Sequence, residues 1–127
     1  MEDWVQFFVY GLLMTGGQGF RALDLGASIR RFGPDRIAGR LYHLGEYPGL
    51  ITGGPGIVHG EVIGVRDAAL VEKMDAYELY DPENPSASEY RRIEVDLLDS
   101  GKRVWTYEYN RSVRNLPVIA TGNWRHR

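Results

Sequence analysis

The residue pattern predicts a mixed α+β fold: a small β-barrel or roll with short flanking helices, as a single domain over residues 1–127. Three observations lead there. Segments with strand-like alternation outnumber helical ones. The strongest helical stretch sits alone in mid-chain. Sixteen glycines in 127 residues supply the tight turns and close backbone approaches that small barrels need. With 43% hydrophobic and 12% aromatic residues, the chain can bury a real core.

Composition also excludes several kinds of chemistry. There is no cysteine, so disulfides, thiol nucleophiles and thiolate metal sites are ruled out. His43, His59 and His126 are far apart, and none pairs with another at metal-ligand spacing on one helix. No metal site is expected. A formal net charge of -2 points to neither nucleic acid nor an anionic membrane. Met1-Glu2-Asp3-Trp4 shows no basic segment leading into an apolar run. No stretch approaches the ~20 apolar residues that cross a bilayer. A cytoplasmic protein is the expectation.

Taken in order, Trp4 to Tyr10 reads as a central strand, apolar on both faces. Gly11 ends it, and a glycine there lets the backbone turn and frees amide groups to meet a ligand. An ordinary strand-to-loop turn explains the same residues. Phosphate-loop patterns are absent. Gln18 to Leu25 suggests a short helix ended by Gly26. Ile29 to Leu44 reads as extended, broken at Gly33-Pro34, with Ile37 to Leu44 a strand. Glu46 to Leu50 reads as a loop with a Pro-Gly turn, and Gly53-Gly54-Pro55-Gly56 as another turn. Ile57 to Val65 is the next strand.

Asp67 to Glu78 reads as a helix. Asp67 is placed to cap it. Leu70, Val71, Met74 and Tyr77 form its buried stripe, while Glu72, Lys73 and Asp75 point elsewhere. Glu78 falls on or beside that stripe. A carboxylate held there is expensive to ionise unless it is paired or used. A fraying helix end that releases Glu78 into water fits the spacing equally.

Leu79 to Ser88, with two prolines, reads as an exposed loop. Glu89 to Leu98 and Arg103 to Asn110 form a hairpin around Asp99-Ser100-Gly101-Lys102. Trp105, Tyr107 and Tyr109 alternate on one face of its second strand, as core packing or as cavity phenols. Leu116 to Ile119 is a short apolar segment. Arg125-His126-Arg127 reads as a frayed basic tail.

Several segments then line up as a set: Phe8-Val9-Tyr10-Gly11, Gly39-Arg40-Leu41-Tyr42-His43-Leu44, Tyr47-Pro48-Gly49 and Val58-His59-Gly60-Glu61-Val62. Met74-Asp75-Ala76-Tyr77-Glu78, Tyr90-Arg91-Arg92 and Ile119-Ala120-Thr121-Gly122-Asn123-Trp124 follow in the same order. Each is weak alone. In this order and spacing the chain resembles the gamma-glutamylcyclotransferase-like superfamily over nearly its whole length.

The resemblance implies a small barrel with a cavity at one end and a small-molecule γ-glutamyl substrate. It also implies release of 5-oxoproline without metal or organic cofactor. By position it makes Glu78 the catalytic acid/base and Tyr10-Gly11-Leu12-Leu13 the substrate-binding loop. Tyr10 leads the candidate phenols, with Tyr107 and Tyr109 behind it. Of Arg91 and Arg92, at most one can turn inward to meet the substrate carboxylate. Two positions depart from the family pattern. Leu12 stands where a hydroxyl side chain is usual, and Leu79 stands where glycine usually follows the glutamate. The alternatives are a barrel of the same fold that binds a small ligand without turnover, and an interaction domain with a large exposed apolar patch.

Overall fold

The computed structural model describes residues 4–127, and the reading of Met1-Glu2-Asp3 lies outside the described residues. A five-stranded sheet carries the fold, in the order β2-β3-β1-β5-β4. β1 (Val5–Val9) lies at its centre, antiparallel to β3 and parallel to β5. β2 (Ile29–His43) and β3 (Pro48–Val65) form one long antiparallel ribbon. β4 (Tyr90–Asp96) and β5 (Arg103–Tyr109) form the hairpin. Two helices flank the sheet, α1 (Gln18–Ala22) and α2 (Ala68–Tyr77).

Both central faces are buried, as β1 suggests: Phe7 and Phe8, which point to opposite faces, are both fully covered. The core continues through Leu25, Ile37, Leu41, Leu50, Ile63 and Met74. Two edges would leave an open sheet. Side chains and loop amides bring them together instead. The Leu98 amide donates to the Arg36 carbonyl of β2 at 2.8 Å. The Asp35 carboxylate accepts from the amides of Asp99 and Ser100, at 3.0 and 3.2 Å. At the other end, the Tyr90 hydroxyl donates to the Pro48 carbonyl at 2.7 Å, and Thr52 donates to Glu108. The sheet is thereby rolled into a barrel.

Three local readings need correction. The reversal between β2 and β3 falls at Leu44–Tyr47, with Gly45 at φ +107°, and Pro48-Gly49 already belongs to β3. Gly53–Gly56 does not turn the chain back. Ala38 pairs with Ile57 and Gly39 with Thr52, so residues 53–56 bulge out of one strand. Gly53 and Gly54 hold φ +87° and +80° there. The C-terminal tail is not frayed. Trp124 is buried, the Asn123 side chain caps the turn Trp124–His126, and Arg127 lies 3.7 Å over the Trp124 ring. Among the described residues, no helix is long and apolar enough to cross a membrane.

Candidate active site

Two chain segments face each other across one end of the barrel. The first is the C-terminus of α2. Asp67 caps the helix start by accepting from the Ala69 amide at 2.9 Å. At the far end the Leu79 amide returns to Ala76 and the Tyr80 amide to Asp75. These two bonds, with Leu79 in the left-handed region at φ +53°, make a Schellman closure. The helix therefore does not fray at Glu78. Glu78 is its C-cap residue, held at a fixed angle by the bonds on either side.

The second segment is the loop after β1. Gly11 accepts from the Met14 amide and Leu12 accepts from the Phe20 amide, at 3.1 and 2.9 Å. The Thr15 amide donates to the Glu61 carboxylate, and the Arg125 guanidinium donates to the Thr15 carbonyl. With the loop pinned this way, the amides of Leu12 and Leu13 donate to no described acceptor. Gly11 has a packing reason: a Cβ there would sit 2.7 Å from Pro48 Cγ.

Between the segments lies a cavity of about 210 Å³. Tyr10, Gly11, Leu12 and Leu13 line one side, and Glu78, Leu79 and Glu89 line another. Phe8, Val9, Tyr47, Pro48, Tyr77, Tyr90 and Tyr107 complete the walls. Most of the phenols are committed elsewhere. Tyr10 donates to the Tyr107 carbonyl at 2.5 Å, Tyr90 to Pro48, and Tyr107 to the Asp75 carboxylate at 2.6 Å. Burial raises the pKa of all three above the ordinary phenol value, so they stay neutral donors.

Glu78 is different. No described side chain or amide donates to its carboxylate. Burial, and then the negative charge of Glu89, push its pKa up to about 8. A carboxyl that loses its proton near neutrality is suited to proton transfer in both directions.

Other candidate residues fall outside the cavity. Tyr109 does not line it; its ring packs edge-on against Tyr90, 5.3 Å between centroids, and against Gly49. Neither arginine turns into it. Arg92 pairs with Asp75 at 3.0 Å and stacks over Trp105, and Arg91 pairs with Glu108 at 3.1 Å. Asp75, off the apolar stripe as its spacing predicts, is nonetheless buried, 6% exposed, between Arg92 and Tyr107. Among the described residues, no group of three His, Asp or Glu side chains converges as a metal site.

The fold and site define a class: a small barrel with a cavity at one end, lined by the loop after β1 and by a carboxyl without a described hydrogen-bond donor. Residues 7–126 match the family model described as gamma-glutamyl cyclotransferase, AIG2-like. The gamma-glutamylcyclotransferase family protein YtfP of Escherichia coli strain K12 is 32% identical over 123 residues, 97% of this chain and 98% of the relative. The relative of the same name in Citrobacter rodentium is also 32% identical, over 97% of each chain. The solution structure of Escherichia coli ytfP superposes with a TM-score of 0.67 over 94% of this chain and 96% of that one, at 32% identity. An AIG2-like protein from Mus musculus, at 21% identity, shares the fold with a TM-score of 0.69 over 91% of this chain and 86% of its own. The chain belongs to the gamma-glutamyl cyclotransferase, AIG2-like family.

Proposed function

We propose that this protein is a γ-glutamyl cyclotransferase that releases 5-oxoproline and a free amine from a γ-glutamyl amide, without metal or organic cofactor. The observation that carries the reading is Glu78: a carboxyl whose pKa is pushed up to about 8, fixed at a helix end and lining a cavity together with the loop after β1.

The substrate brings its own nucleophile. Its α-amine attacks its γ-carbonyl, the new N–C bond closes a five-membered ring, and the old C–N bond breaks. Over the whole step two protons leave the α-ammonium, and the departing nitrogen gains two. Glu78 takes each in turn as base and delivers it to the leaving nitrogen as acid, so both protons pass from one nitrogen to the other. One carboxyl serves both nitrogens because ring closure brings them onto the same carbon. Holding the glutamyl chain folded for attack contributes roughly 7–11 kcal/mol when alignment is good. The amides of Leu12 and Leu13 face the developing oxyanion. Removing one such donor typically costs about 3–4 kcal/mol of transition-state stabilisation. Because these donors are backbone groups, they do not depend on a hydroxyl side chain at Leu12.

The test is to incubate the protein with a panel of γ-glutamyl amides and measure 5-oxoproline. Release from at least one member is expected. If none is turned over while 5-oxoproline still raises the melting temperature, the cavity is a binding site without catalysis and the proposal fails.

A further inference from the structure

The cavity holds a second carboxylate that the cyclisation does not use. Glu89 lines it beside Leu79, and its backbone amide donates to the Leu79 carbonyl at 3.0 Å. Leu79 is 61% exposed, so this flank is the cavity's mouth. The Glu89 carboxylate is half-buried and meets only the Tyr47 hydroxyl, at 3.5 Å. No described basic side chain pairs with it. Arg91 pairs with Glu108 and Arg92 with Asp75, and Arg111 bonds the carbonyls of Ala87 and Ser88. No lysine, arginine or histidine is among the cavity's lining residues.

Charge accounting then says what fits. The proposed reaction places the substrate's α-ammonium at Glu78 and its developing oxyanion at the loop amides. That leaves Glu89 uncompensated at the mouth, where the leaving group lies. A partly desolvated carboxylate is stabilised by a cation that enters with the ligand, and it repels a ligand carboxylate. A leaving group that is itself an amino acid or peptide would bring its own carboxylate to a wall with no cation to receive it.

Resting on the cyclotransferase reading, we propose that Glu89 is a specificity residue, selecting γ-glutamyl amides whose leaving amine carries a second, distal ammonium and no carboxylate, such as the mono-amides of alkane diamines. Tyr47 positions the Glu89 carboxylate, and the exposed Leu79 covers the methylene chain between the two nitrogens.

Three probes of matched chain length separate the alternatives: γ-glutamyl-diaminobutane, γ-glutamyl-butylamine and γ-glutamyl-aminobutyrate. Their tails are cationic, neutral and anionic. The readout is the ratio of kcat/KM between tails for 5-oxoproline release by the intact protein. Wild type is expected to prefer the cationic over the neutral tail by roughly tenfold, and the anionic tail is expected to be poorest. Glu89→Gln should collapse the cationic-to-neutral ratio toward one. Glu89→Lys should move the preference to the anionic tail, and Tyr47→Phe should weaken the ratio without abolishing it. Turnover of all three tails with equal efficiency overturns the assignment of Glu89 and leaves the cyclotransferase reading standing. So does a cationic preference that survives in Glu89→Gln. If no tail releases 5-oxoproline, both fall.

Discussion

Glu78 owes its raised pKa to burial and to one charged neighbour from another part of the chain. Its raised pKa comes first from burial and then from Glu89. Both act against the ionised form, so the group binds a proton more tightly in the folded protein than in the unfolded one. The sign for activity follows. Below pH 8 most Glu78 is protonated and a poor base, so kcat/KM for 5-oxoproline release should climb with pH on a limb of apparent pKa near 8. In Glu89→Gln that limb should move to lower pH, because one of its causes is gone. A pH–rate profile of the two proteins checks this; an unmoved limb would detach Glu89 from Glu78. The sign for stability is opposite. The contribution of Glu78 is greatest below its unfolded value of 4.5 and declines as pH rises toward 8. Glu78 was visible in the sequence as an acid on an apolar stripe. Its orientation was not, because helical phase cannot tell a fraying end from a Schellman closure. The burial of Asp75 was hidden for a related reason. It sits off the stripe, and only the pairing of β4 with β5 brings Arg92 and Tyr107 to it.

At the scale of elements, α2 matters most for where it stops. Leu79 occupies the position after the C-cap at φ +53°, where a glycine is unstrained and an L side chain is disfavoured by about 1–2 kcal/mol. Leu79→Gly relieves the strain but gives the unfolded chain about 0.4–1 kcal/mol more entropy to lose. The melting temperature should accordingly hold or rise slightly, while Leu79→Val, β-branched in the same conformation, should lower it. Thermal unfolding followed by circular dichroism distinguishes the two. A large drop for Leu79→Gly would mean that the exposed leucine packs against something that offsets its strain. Element types were mostly legible along the chain. The ends and breaks of β2 and β3 were not, because the Gly53–Gly56 bulge has the same glycine and proline signature as a hairpin turn. Only the shared register with β2 separates them.

At the scale of the whole molecule, the sequence pointed to a barrel through its glycines and strand count. What closes the barrel was hidden. The edges meet through Asp35, which accepts from amides more than sixty positions away. Burial alone would raise the Asp35 pKa. The amides of Arg36, Asp99 and Ser100 outweigh it and hold the group below the ordinary aspartate value. At the cavity end, the end of β1, the loop after it and the end of α2 together line about 210 Å³. Tyr109 and the arginine pair fell outside that space because strand alternation fixes a face of the sheet and not an end of the barrel. Glu78 as the proton carrier of a cyclisation is tested most directly by 5-oxoproline release from Glu78→Gln on a substrate the wild type turns over. The expected result is a fall of roughly 10²–10⁴-fold in kcat, with the melting temperature and its rise on adding 5-oxoproline retained. A folded variant that releases 5-oxoproline at the wild-type rate would contradict it.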